Sequence, residues 1–185
     1  MIMEWFCMKL KITVIILEAF TFLAACNDQN DLKELNTNAS TQDVKELVNE
    51  YSNGNFTDDE TASITSTQLI VTDSKDNEAI YELPEDEFFV SIAPFINETH
   101  PCTNHSLTGC QGELTNEDFD IHIEDLEGNT IFEETMNSGE NGFIDLWLPR
   151  DKTYQVKITQ DGKEVQSELS TFENDGTCIT TMQLS

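Results

Sequence analysis

The sequence predicts a mainly β protein, an antiparallel sandwich or barrel-like domain carrying a small α-helical N-terminal arm. Three observations predict it. From about Thr65 onward, short runs rich in Val, Ile, Phe, Tyr and Thr recur roughly every ten residues, which is the spacing of strands joined by turns. Between them stand breakers of the right kind: Glu127-Gly128-Asn129 and Asp161-Gly162 read as hairpin turns, and Pro149-Arg150-Asp151 closes another. Ahead of them, a single stretch has helical rather than alternating periodicity.

In that stretch Val44, Leu47, Val48 and Tyr51 fall on one helical face, Ser40 or Thr41 offers an N-cap, and Gly54 offers a stop. The following FTDDETASI predicts a second short helix capped by Thr57, so that residues 41–63 form a helical arm. An exposed apolar stripe on that arm makes homodimer formation an expectation. The strand runs then follow in order: TSTQLIVTD, EAIYELP, EFFVSIAPF, FDIHIED, TIFEETM, GFIDLWLP, TYQVKITQ, EVQSELSTF and CITTMQL. Alternation places Phe88, Val90 and Ile92, Phe119, Ile121 and Ile123, and Tyr154, Val156 and Ile158 on core-facing sides of their strands. His122 falls on the opposite face from Ile121 and Ile123, as an exposed strand histidine.

The first 25 residues predict an export signal. Lys9 and Lys11 precede an apolar run, ITVIILEAFTFLAA, of about a dozen residues, the size of a signal-peptide core. The run ends in Leu23-Ala24-Ala25-Cys26, which resembles a bacterial lipobox and implies acylation of Cys26 and a membrane anchor. Residues 26–40 are polar and Asn- and Asp-rich, the composition of a flexible tether, and residues 64–185 form the β-rich domain. The expected location is therefore extracytoplasmic, on the outer face of a bacterial membrane. The whole chain has 9 basic and 36 acidic residues, a formal charge of −27, which repels phosphate and argues against nucleic acid as a partner. Cleavage before Cys26 leaves that charge unchanged, because the removed segment holds as many acidic as basic residues.

The chemistry concentrates in HPCTNHSLTGC, residues 100–110, inside an irregular segment, residues 96–113, longer than a hairpin needs. Its donors are His100, Cys102, His105 and Cys110. Cys178 opens the last strand run, and a terminal strand pairing inside a sheet can bring it to the base of this loop. Three chemistries compete. A Cys102–Cys110 disulfide would close about nine residues and contribute about 2.5 kcal/mol, leaving Cys178 alone. Zinc would take Cys102, Cys110, Cys178 and one histidine, without the spacing of a recognised knuckle. Cuprous copper suits sulfur ligands in low coordination, with His100 and His105 as neighbours or exchangeable ligands and zinc as a competitor. Met182 is expected in the core. Ser106 and Ser170 sit in no nucleophile elbow.

The stretches LPEDEFFVSIAPF through THPCTNHSLTGCQGEL, NGFIDLWLPRDKTYQV and the TCITTMQL end resemble the CueP family of bacterial copper-binding proteins over roughly residues 60–185. That resemblance implies a copper-binding protein of the periplasm or cell surface whose thiols correspond to Cys102, Cys110 and Cys178, lying close enough to hold Cu(I). It also implies a small N-terminal region that mediates dimerisation and delivery of copper to a Cu/Zn superoxide dismutase. The expected function is thus binding and transfer of Cu(I) rather than turnover. The alternative is thiol-dependent reduction of Cu(II) to Cu(I) by Cys102 and Cys110.

Overall fold

The computed structural model describes the backbone of Glu34–Leu35 and all of residues 40–185. The expected export signal, the acylated Cys26 and most of the tether lie outside the described residues. Along the chain run β1 (Glu34–Leu35), α1 (Thr41–Ser52), β2 (Thr61–Ile64), β3 (Gln68–Thr72), β4 (Glu78–Glu82), β5 (Glu87–Ile92), β6 (His105–Ser106), β7 (Asp118–Asp125), β8 (Thr130–Asn137), β9 (Ile144–Pro149), β10 (Thr153–Gln160), β11 (Lys163–Ser170) and β12 (Cys178–Ile179). They form three sheets with strand orders β1-β4-β3-β2-β6, β11-β10-β7-β8 and β12-β5-β9, none closed into a barrel. The pairings are antiparallel except β1 on β4 and β12 on β5.

The fold follows from alternation. Phe88, Val90 and Ile92 of β5 and Ile144, Leu146 and Leu148 of β9 turn one face of the three-stranded sheet toward Phe119, Ile121 and Ile123 of β7 and Tyr154, Val156 and Ile158 of β10. Each of these side chains is almost wholly removed from water, and full burial of one contributes about 1.5–3 kcal/mol. The residues between them face the other way. Phe89 and Trp147 join a second core built from α1, β2 and β3, so the three-stranded sheet is a shared middle layer. The Asp161–Gly162 turn has positive φ at both residues, +50° and +78°, the conformation of a two-residue hairpin between β10 and β11.

Helix α1 begins as expected. Ser40 caps it in a reciprocal box, its hydroxyl accepting the Asp43 N–H at 3.2 Å while the Asp43 carboxylate accepts the Ser40 N–H at 2.9 Å. Its apolar stripe, however, is already covered: Val44, Val48 and Tyr51 pack into the second core of their own chain. Leu47, the remaining member of the stripe, is half-buried against the same core. The second short helix does not form either. Glu60 N–H closes a turn on the Thr57 carbonyl at 3.0 Å, and Thr61–Ile64 is a strand with Ala62 and Ile64 buried, because its period is two and its partner β3 supplies the ladder. Met182 is fully buried in the first core.

Candidate metal centre

The irregular segment, residues 96–113, is held at four points. At its base the Glu113 carboxylate accepts the backbone N–H groups of Ile96 at 2.5 Å and Asn97 at 2.9 Å, closing the two ends on each other. These donors hold Glu113 down to about 2, Asn97 acting most strongly. In the middle, β6 pairs with β2 through Ile64↔His105 and Ser63↔Ser106. On the far side, the Thr177 hydroxyl accepts the His105 N–H at 2.9 Å and donates to the Ile64 carbonyl at 2.7 Å. Finally, Cys178 N–H donates to the Thr103 carbonyl at 3.0 Å. The chain runs so close here that a Cβ on Gly176 would lie 2.7 Å from the Thr103 oxygen, which is why a residue without one stands there.

These ties bring the sulfurs together. Parallel pairing sets Cys178 opposite Ser91 on β5, at the end of the middle sheet, where Ala93, Phe143 and Cys178 form a small core that Cys102 and Cys110 pack against. Cys102 and Cys178 are joined as a disulfide across 76 residues, and the Cys110 sulfur lies 3.7 Å from that of Cys102. The disulfide therefore differs from the nearby Cys102–Cys110 pair weighed from spacing. Cys110 remains a free, half-buried thiol. The Ser106 N–H points at its sulfur from 3.4 Å, and its own N–H donates to the Ser106 carbonyl at 3.0 Å.

Both loop histidines reach this cluster. Donor atoms of His100, Cys102 and Cys110 lie within 4.8 Å of one another, and so do those of His105, Cys110 and Cys178. His105 is completely buried, packed on Phe143 at 4.4 Å between ring centroids, and neither ring nitrogen has a hydrogen-bond partner. Burial, reinforced by His100, holds its ring down to about 4, so it is neutral at physiological pH and carries a lone pair for a ligand. A buried imidazole with both nitrogens unsatisfied is costly, and a metal bound through one of them would offset part of that cost. The mixture of thiol and imidazole donors fits a soft cation better than a hard one. His122 stands apart on β7, bonded to Glu124 at 2.8 Å, in keeping with its place outside the site.

The structure brings together the five residues that the sequence singles out, and adds two that hold their segment and that the sequence reading missed, Thr177 and Glu113. Each had a readable sign: a hydroxyl directly before the distant cysteine, and an acid at the close of the irregular segment.

A layered β fold with a cluster of sulfur and imidazole donors at the end of its middle sheet defines a small soft-metal-binding protein. The profile of the family described as "Periplasmic copper-binding protein CueP" matches residues 42–183. A solved structure described as "Crystal Structure of S.CueP" superposes with a TM-score of 0.72 at 35% sequence identity, covering 77% of this chain and 88% of that one. No curated protein matches. The chain belongs to the CueP family of periplasmic copper-binding proteins. Among the described residues no helix is long and apolar enough to cross a membrane.

Proposed function

We propose that the protein is a lipid-anchored extracytoplasmic copper carrier that holds Cu(I) on the thiolates of Cys102, Cys110 and Cys178 and passes it to an exported cuproprotein such as a Cu/Zn superoxide dismutase. The observation that carries this reading is the approach of three sulfurs from two distant segments, with Cys102 bonded to Cys178 and Cys110 3.7 Å from Cys102. Reduction of the disulfide frees the full set, and thiolates are the donors Cu(I) prefers. Anchoring follows from the cysteine after small residues at position 26. A Cu(I) competition titration on the reduced protein tests it. One ion per chain is expected, with strong loss in Cys178→Ser; an unchanged affinity in that variant would refute three-sulfur binding.

The same disulfide favours one other reading, thiol-driven reduction of Cu(II). Two thiols and two Cu(II) ions give one disulfide, two Cu(I) ions and two protons, so each chain reduces two ions and stops until a dithiol restores it. Counting Cu(I) formed per chain, with and without a dithiol, separates single-round reduction from turnover.

A further inference from the structure

The three sulfurs lie together, and the two imidazoles join them in different sets. His100 groups with Cys102 and Cys110, His105 groups with Cys110 and Cys178, and the two imidazoles fall in different sets that share only Cys110. The sets also differ in depth. His100, Cys102 and Cys110 are all half-buried, whereas His105 and Cys178 are buried. Phe143 packs against both rings, 4.4 Å from His105 and 6.4 Å from His100.

Resting on the Cu(I)-carrier reading above, we propose that the two imidazoles give copper on the reduced three-sulfur site two overlapping positions, an outer one at His100, Cys102 and Cys110 and an inner one at His105, Cys110 and Cys178, and that the ion passes between them through the three-sulfur arrangement without leaving Cys110. The sharing of one sulfur is what makes this passage cheap, since the ion never loses its last ligand. As the bonds to His100 and Cys102 break, bonds to His105 and Cys178 form, and the ion stays Cu(I) throughout, so no electron moves. The shared sulfur is also well positioned for the role: the Ser106 N–H lies 3.4 Å from it, and the backbone bond from Cys110 to Ser106 fixes its carrier segment. The fully buried His105 ring, without a partner at either nitrogen, supplies independent support for an inner ligand position. Both positions require the Cys102–Cys178 disulfide to be open. A dithiol provides the two electrons and two protons and itself becomes a disulfide.

In this scheme the outer position loads and releases copper while the inner one holds it. His100 then governs rate and His105 governs retention. The test uses the reduced full chain loaded with one Cu(I), mixed rapidly with an excess of a bidentate aromatic-amine Cu(I) chelator. His100→Gln should release copper about tenfold more slowly; His105→Phe should release it about tenfold faster, with X-ray absorption still reporting a nitrogen ligand from His100. Release from His100→Gln at the wild-type rate would overturn the two positions. His100 is half-buried and outside the core, so that arm decides the matter even if His105→Phe fails to fold. Failure of the reduced wild type to bind Cu(I) would instead sink the carrier reading. Wild-type binding that is lost in Cys178→Ser, together with unchanged release from His100→Gln, would leave the carrier standing and remove the two positions.

Discussion

Thr177 holds His105 in place: its hydroxyl accepts the His105 N–H at 2.9 Å and passes a hydrogen bond on to the Ile64 carbonyl at 2.7 Å. One side chain thus ties the irregular segment, the first sheet and the strand bearing Cys178. Thr177→Val keeps the shape and removes both bonds, leaving a buried donor and a buried acceptor without partners. The expected loss is about 1–3 kcal/mol in urea denaturation, accompanied by weaker Cu(I) binding in the reduced protein. Undiminished binding in a destabilised variant would mean that the clamp serves the fold alone.

The Cys102–Cys178 bond spans 76 residues, a long closed loop in the unfolded chain. On the chain-entropy estimate its reduction lowers stability by about 4 kcal/mol. Urea melts of the wild type with and without a dithiol should differ by an amount of that order, whereas Cys178→Ser should give the same curve in both. A wild type indifferent to the reductant contradicts this expectation.

Glu113 gives the base of the loop a pH dependence. The Asn97 and Ile96 N–H groups stabilise its carboxylate, lowering its folded value from 4.5 to about 2. The sign follows from linkage: a depressed acid stabilises the fold fully above its unfolded value, and that contribution is lost as pH falls from about 4.5 toward 2. Glu113→Gln should therefore melt below the wild type at pH 7, and the gap should narrow through this acidic window. A gap that stays constant from pH 7 to pH 2 would rule out the carboxylate as its origin.

Gly112 donates its N–H to the Asn141 carbonyl at 2.7 Å, and a Cβ placed on it would fall 2.4 Å from the Gly142 carbonyl oxygen. Backbone cannot swing aside as a flexible side chain does. Gly112→Ala should cost about 1–3 kcal/mol, measured by thermal or urea denaturation, through displacement of the segment that follows Cys110. A melting curve equal to the wild type's would show that the two backbones separate freely.

Much of the architecture is readable because it depends on local period. The alternation of Phe119, Ile121 and Ile123, and of Tyr154, Val156 and Ile158, predicts buried faces that the structure contains. The cap and stripe of α1 are likewise local, and Ser40 and Val44 announce them. What escapes is decided by partners far along the chain. Residues 61–64 follow the helix-compatible cap at Thr57, yet β3 on one side and β6 on the other recruit them into a sheet. The two-residue β6 has too little sequence to show a period at all. At the cluster, residue type marks out the five side chains that come together, and convergence of Cys178 on the loop follows from its place at the start of a terminal strand. The bonded pair was not, since spacing favours the neighbours Cys102 and Cys110 whereas the register of Cys178 against Ser91 sets it beside Thr103.

Because Cys178 lies 76 residues beyond Cys102, the sulfur trio has no counterpart in a partly synthesised or linearly threaded polypeptide. Such a chain holds Cys102 and Cys110 eight residues apart but lacks their third sulfur. In the carrier proposed above, chelation by all three sulfurs waits for the last strand to dock, so full metal capture would report completed folding.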